Sequence, residues 1–282
     1  PTPVAVVIGA DPSIGYVSVS KMSEALDEFA VAGALRGEPV DLVPCETVPL
    51  EVPATAEIVL EGEIPPNAVE PEGPFGEYTG YMGPAGNEPF FNIKCMTFRN
   101  KPLYQAFISQ MPPSESSCIR GVGREWPLFK HLKDTLHIPI KDLRLKEAGG
   151  SGAYLVISLK KQFDGQVRQL MYGAWSLRTG FGKITVVVDD DIDVMNLEDV
   201  MWAVCTRSDP IRSITLIDHT RANFLDPMVR SRFDENAGHT SSCAVIDACR
   251  PFALRDRFPK VAESSAEFKK QIREKWAGIL NL

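Results

Sequence analysis

The hydrophobic periodicity of this chain changes near residue 125, and that change bounds the fold class. Up to about residue 110 the apolar residues fall in short β-type runs: Val4 to Ile8, Val40 to Val43, Ile58 to Leu60, Ile93 to Phe98 and Leu103 to Ile108. Proline, glycine and asparagine part them, which predicts a barrel or sandwich. One helix is expected across Met22 to Leu35, with Leu26, Phe29, Ala30 and Ala32-Gly33 packed on that sheet and Glu28 within it. Beyond Glu125 helix and strand alternate, giving an α/β pattern: a helix around Trp126 to Leu136, strands Ala153 to Leu159 and Lys183 to Val188, and a helix around Leu197 to Thr206. The expected division is therefore residues 1–125, 126–250 and 251–282. The last part carries a capping box at Ser264 and Glu267, followed by Phe268, Ile272, Trp276 and Ile279 on one helical stripe. Such a helix docks on its own chain or on a sister subunit.

With 282 residues, 44% of them hydrophobic, the chain can bury one large core or two ordinary ones. A net charge of -7 with no basic cluster argues against nucleic acid or an anionic membrane surface, and for small-molecule ligands. No apolar run approaches a membrane span and no signal segment opens the chain, so the cytoplasm is the expected compartment. The six cysteines form no C-x-x-C pair and are expected to be reduced, buried thiols. Pro1-Thr2-Pro3 leads straight into an apolar strand without an initiator methionine, which suggests a processed piece or one subunit of a larger assembly.

The run Pro71-Glu72-Gly73-Pro74-Phe75-Gly76-Glu77-Tyr78-Thr79-Gly80-Tyr81 sets two carboxylates five residues apart where glycine and proline forbid a continuous helix. Two carboxyls in one pocket lined by Phe75, Tyr78 and Tyr81 would not both ionise easily, and the retained proton is a general acid. A surface turn with solvated acids is the alternative. His131, His137, His219 and His239 lack metal-ligand spacing. Dinucleotide, P-loop and nucleophile-elbow motifs are absent. The acidic run Asp189-Asp190-Asp191-Ile192-Asp193 suits a divalent cation or, more simply, capping of the helix that follows. Arg178 and Lys183 flank Gly180 and Gly182 as a phosphate contact or an ordinary basic pair, and Arg207 reads as a helix C-terminal contact or an ion pair.

Glu28 with Ala32-Gly33-Ala34-Leu35-Arg36-Gly37-Glu38-Pro39-Val40, then Val52 to Gly62, Pro71 to Tyr81, Lys183 to Asp193, Trp202-Ala203 and Thr206-Arg207-Ser208-Asp209-Pro210, resembles the UbiD family of decarboxylases in family order along essentially the whole chain. The resemblance implies a split β-barrel flavin-binding domain, incomplete on its N-terminal side here, over residues 1–125, then an α/β domain and a terminal helix. It implies prenylated FMN held with Mn2+ (or Mg2+) and K+, and reversible, non-oxidative decarboxylation of an aromatic, heteroaromatic or α,β-unsaturated acid through a covalent adduct with that cofactor. In its terms Glu72 and Glu77 are the paired catalytic acids, with Glu72 the proton donor. Glu28 is the acidic metal ligand, and either Lys183 or Arg178 contacts the flavin phosphate. Tyr78, Ser116, Arg120, Phe181, Asn223 and Leu225 fall where the family lines its substrate pocket, and Arg120 with Asn223 hints at a second polar or anionic group on the substrate.

The sequence also departs from the pattern. The family's catalytic arginine, and the asparagine and histidine of its metal shell, belong ahead of the strand at Val4, so an upstream segment or a second polypeptide is expected to supply them. The expected partners are thus a small carboxylic acid, carbon dioxide, that further polypeptide and further copies of the chain. A scaffold subunit of a multisubunit carboxylase and an ordinary flavin redox protein are the competing classes.

Overall fold

Strand β1 (Thr2–Ile8) pairs antiparallel with β4 (Ile58–Ile64), which pairs with β7 (Asn92–Phe98), in the order β1-β4-β7. This is a computed structural model, and it describes residues 1–18, 20, 22, 25–177 and 182–280. The β4–β7 register slips between Glu61 and Gly62, where a side chain on Gly62 would run into the Asn92 backbone. Helices α1 (Pro12–Ser18) and α2 (Glu28–Arg36) pack together between β1 and the next strands. Asp27 caps α2 by accepting from the Ala30 N–H at 2.8 Å, and Gly37, at φ 82°, ends it.

Two ribbons complete this half: β2 (Leu42–Pro44) with β3 (Glu51–Pro53), and β5 (Val69–Glu72) with β6 (Gly86–Pro89). Glu61 is 1% exposed, and its carboxylate anchors the first ribbon's loop by accepting from Glu46 N (2.9 Å), Thr47 N (2.6 Å) and Thr47 Oγ1 (2.7 Å). Burial pushes the Glu61 carboxyl up, yet these donors outweigh it and hold it below its ordinary value of 4.5. A depressed folded-state value stabilises the fold above pH 4.5 and loses that contribution as pH falls through the folded value. Glu61→Gln should therefore lower stability by about 1–3 kcal/mol at neutral pH and flatten its acid dependence, as read by urea unfolding from pH 7 to 3. An unchanged acid slope would refute the clamp.

The second half is a five-stranded sheet in the order β11-β12-β10-β9-β8. Its strands are β8 (Ile140–Leu145), β9 (Tyr154–Leu159), β10 (Ile184–Asp189), β11 (Ile214–Arg221) and β12 (Thr240–Ala248). The central strands β9, β10 and β12 run parallel, with antiparallel strands at both edges. Both faces of the centre are covered, which is why β9 and β10 read as unbroken apolar runs. On one face Leu155, Ile157, Leu159 and Val187 pack with Leu128 and Leu132 and with α4 (Gln166–Leu177). On the other, Val156, Val186 and Val188 meet Val200 and Ala203 of α5 (Leu197–Arg207). A short α6 (Pro210–Ser213) leads into β11, and α7 (Ala266–Leu280) ends the fold. None of the described helices is long and apolar enough to cross a membrane.

Several expectations are corrected. Leu103 to Ile108 forms no strand and is exposed; Ile108 instead donates its N–H to Glu115. The expected helix at Trp126 begins at Glu115, as α3 (Glu115–Lys130), and runs on into a wide π turn over His131–Thr135. Gly121 and Gly123 lie inside this helix as buried contacts: a methyl on Gly121 would stand 3.1 Å from Ser151 Oγ. The helix expected from Met22 starts at Glu28, and the tail is capped by Ser265, whose Oγ accepts from Phe268 N, in place of Ser264 with Glu267. All six cysteines are free, yet only Cys249 is buried. The acidic run neither caps α5, which Asn196 does, nor stands alone; Asp189 and Asp191 hold Arg207 and Arg250.

Candidate active site

Glu72 is the last residue of β5, opposite Gly86 of β6. The chain then turns through Gly73, at φ 74°, and closes a nested loop by Gly83 N to Phe75 O and Glu77 N to Tyr81 O bonds of 2.8 and 2.9 Å. Glu77 is half-buried beside Gly83, whereas Glu72 is exposed. Of the three aromatic walls expected around these acids, Phe75 and Tyr81 are exposed and only Tyr78 is withdrawn from solvent. The reason is that every residue of the β5–β6 ribbon is itself exposed, so no layer among the described residues covers it.

Tyr78 and Thr79 lead from this loop into a cavity of about 260 Å³ against the five-stranded sheet. Its walls include Arg124 of α3, the Gly149–Ala153 turn, Lys183 ahead of β10, and Asn223 with Asp226 from the connection after β11. Asn223 Nδ2 donates to the Tyr78 hydroxyl at 2.9 Å, and the Arg120 guanidinium lies 4.2 Å from the Tyr78 ring centre. Lys183 Nζ donates to both Asp226 oxygens, at 2.7 and 3.0 Å. Burial pushes the Tyr78 phenol above its ordinary value; Arg120 and Arg124 pull it down, and Asp226 and Glu77 add to the rise. The phenol thus keeps its proton at neutral pH, and Glu77 lies within electrostatic reach of the cavity.

The cavity brings together Tyr78, Lys183 and Asn223, with Arg120 against the ring. Ser116, one helical turn before Arg120, donates its hydroxyl to Ser109 Oγ at 2.9 Å, and half-buried Leu225 donates its N–H to Asn223 Oδ1. Glu28 stands apart, exposed in the first turn of α2. Arg178 and Phe181 lie outside the described residues. Arg124, Asp226 and the Gly149–Gly152 turn had been missed. The cluster Ala148-Gly149-Gly150-Ser151-Gly152 is rich in glycine, but nothing in the sequence ties it to Tyr78.

The donor chemistry separates two expected groups. Lys183, Arg124 and Arg221 line the cavity with Asp226 as the one carboxylate among the described lining residues, so cations outnumber carboxylates there and the cavity suits an anion such as a phosphate or carboxylate. By contrast, no three histidine, cysteine or acidic side chains among the described residues converge to hold a metal ion, and Glu28 alone does not form a metal centre.

The chain thus joins a three-stranded antiparallel sheet with two ribbons to a five-stranded mixed sheet, and the loop carrying Glu77 and Tyr78 leads from the first half to a cavity against the second. Residues 1–112 match the 3-octaprenyl-4-hydroxybenzoate carboxy-lyase Rift-related domain, and residues 117–248 match the C-terminal domain of the same enzyme family. The chain belongs to the UbiD family. An uncharacterized protein of Archaeoglobus fulgidus is 34% identical over 280 residues, 99% of this chain and 57% of the relative. The UbiD-class enzyme HmfF from Pelotomaculum thermopropionicum, solved with FMN, superposes with a TM-score of 0.83 at 33% identity, over 94% of this chain and 57% of that one. An evolved dimeric form of it, solved with prFMN, gives 0.77 at 32% identity, over 95% and 56%. Vanillic acid decarboxylase of Sedimentibacter hydroxybenzoicus in its open form gives 0.80 at 28% identity, over 98% and 60%. The chain therefore spans a little over half the length of these relatives.

Proposed function

We propose that this chain forms the acid-bearing and α/β part of a decarboxylase that reversibly removes carbon dioxide from an aromatic, heteroaromatic or α,β-unsaturated acid. The observation that carries the reading is the run from Glu72 through Glu77 to Tyr78, which leads directly into a cavity richer in cations than in carboxylates. Loss of carbon dioxide from an sp² carbon leaves charge orthogonal to the π system, so an electron sink is required. Prenylated FMN, when bound, supplies it. The protein's part is to orient the acid, exclude water and deliver a proton.

Glu72 gives that proton to the vacated carbon, and Glu77 completes the ionic network around it. Lys183 or Arg178 holds the flavin phosphate. Glu28 would contribute one hard oxygen to Mn2+ or Mg2+, and K+ is the second expected ion. The remaining arginine, asparagine and histidine come from an upstream segment or a partner polypeptide, which would also cover the exposed β5–β6 ribbon. A substrate with a second polar or anionic group suits Arg120 and the cationic cavity. The reading is tested by carbon dioxide release from a panel of cinnamate-like, hydroxybenzoic, furan and pyrrole acids, with the amide variants of Glu72 and Glu77 as controls.

The tail, residues 251–282, is proposed to join copies of the chain. Phe268, Ile272, Trp276 and Ile279 form an apolar stripe on α7 that is exposed throughout, and Lys269, Lys270, Arg273 and Lys275 make this helix basic in a chain of net charge -7. Trp276→Glu should reduce the particle to a smaller species in light scattering without altering the circular dichroism. An unchanged mass would refute it.

A further inference from the structure

We propose that Gly150 is the seat and Asn223 the catch for Tyr78, and that together they are positioning residues for Glu77. The proposal rests on the reading of Glu77 as a site acid. Tyr78 packs on the backbone at Gly150: a methyl group there would stand 2.5 Å from Cδ2 and 3.0 Å from both Cε2 and the Tyr78 carbonyl oxygen. Gly150 also adopts φ 61°, directly after the single 3₁₀ turn Glu147–Gly149, so only glycine meets both demands.

At the other end of the ring, the Asn223 amide is fixed on both sides. Its Nδ2 donates to the Tyr78 hydroxyl at 2.9 Å and its Oδ1 accepts from Leu225 N at 3.0 Å. Three residues on, Asp226 is held by Lys183 and by the Met228 N–H at 2.9 Å, so the loop carrying the catch is itself anchored to the five-stranded sheet. The β5–β6 ribbon, by contrast, is exposed along its length among the described residues. Tyr78 is adjacent to Glu77 in the chain, and its anchorage in the α/β half fixes that end of the loop. Through these two bonds Asn223 acts on Tyr78 and so on the loop that carries Glu77.

The test uses the intact protein together with any polypeptide that co-purifies. Hydrogen exchange of amides 76–83 is followed by mass spectrometry without cofactor, and kcat and KM are measured with it. Gly150→Ala should speed exchange in that segment about tenfold. Tyr78→Phe and Asn223→Ala should each speed it about fivefold, with the double variant no faster than Asn223→Ala alone, because both remove the Asn223–Tyr78 bond and the alanine also frees Leu225 N. In a Tyr78→Ala background the added methyl at position 150 should have a clearly smaller effect, the remainder being turn strain at φ 61° and contact with the backbone carbonyl of residue 78, which separates ring contact from turn strain. In the loaded enzyme kcat should fall while KM holds within about twofold. Unchanged exchange in Gly150→Ala, multiplying effects of Tyr78→Phe and Asn223→Ala, or a methyl effect undiminished without the ring would each overturn the proposal. Faster exchange with kcat untouched would uphold the seat and overturn the role given to Glu77.

Discussion

Glu72→Gln should lower the rate of carbon dioxide release by about 10²- to 10⁴-fold, the usual contribution of a positioned general acid. Glutamine keeps the length, shape and hydrogen-bonding capacity of the side chain but has no proton acidic enough to give. Glu72 is an exposed residue at the end of β5, so the substitution should change folding stability by less than about 0.5 kcal/mol. Turnover and stability are thereby separated. The measurement is kcat at saturating substrate, with cofactor occupancy matched by absorbance, and with deuterium incorporation at the vacated carbon read in heavy water. Glu77→Gln should also fall, through loss of the ionic network, while its half-buried place beside Gly83 tolerates an amide of equal size. If Glu72→Gln retains turnover within tenfold of the parent protein, the assignment of the donor is wrong.

Arg207→Met should destabilise the α/β half by about 3–5 kcal/mol, because it leaves a buried carboxylate without its main counter-charge. The Arg207 side chain is 2% exposed at the end of α5, and its Nη1 donates to Asp189 at 2.8 Å and to Asp191 at 2.7 Å. Its Nη2 adds a second bond to Asp191 at 2.9 Å. Burial works against the charge on Arg207, but the two carboxylates outweigh it and raise the guanidinium above its ordinary value. Arg250 binds Asp189 through both its backbone N–H and its Nε, so the aspartate is the joint between β10, α5 and the end of β12. Urea unfolding should show the loss, and Asp189→Asn in the Arg207→Met background should recover part of it by removing the stranded charge. A single substitution costing less than 1 kcal/mol would show that the cluster is a solvated surface network after all.

The comparison of sequence with fold is informative where the two part. β1, β4, β7, β9, β10 and α5 were legible within a few residues, since each is an apolar run or stripe whose period matches one structure. The true start of α3 was not, because Gly121 and Gly123 carry a breaker signal that close packing on Ser151 and Ser20 overrides. Leu103 to Ile108 carried a strand signal without a partner strand among the described residues. The family was accessible from the ordered motifs alone. The cavity was not. Tyr78, Arg120, Gly150, Lys183 and Asn223 come from five separate segments, and no local periodicity encodes which of them touch.

Local chemistry therefore determined the element types, the carboxylate-bearing loop and the membership of the chain, because backbone preference and apolar spacing act over a few residues. Only the tertiary structure decided that Asp189 and Asp191 serve two arginines and that the tail helix lies bare. It likewise decided that Tyr78 is clasped by the opposite half. Each of those outcomes depends on which side chains folding carries across distances of up to 145 residues, where burial and charge pairing set the energy and sequence spacing is silent.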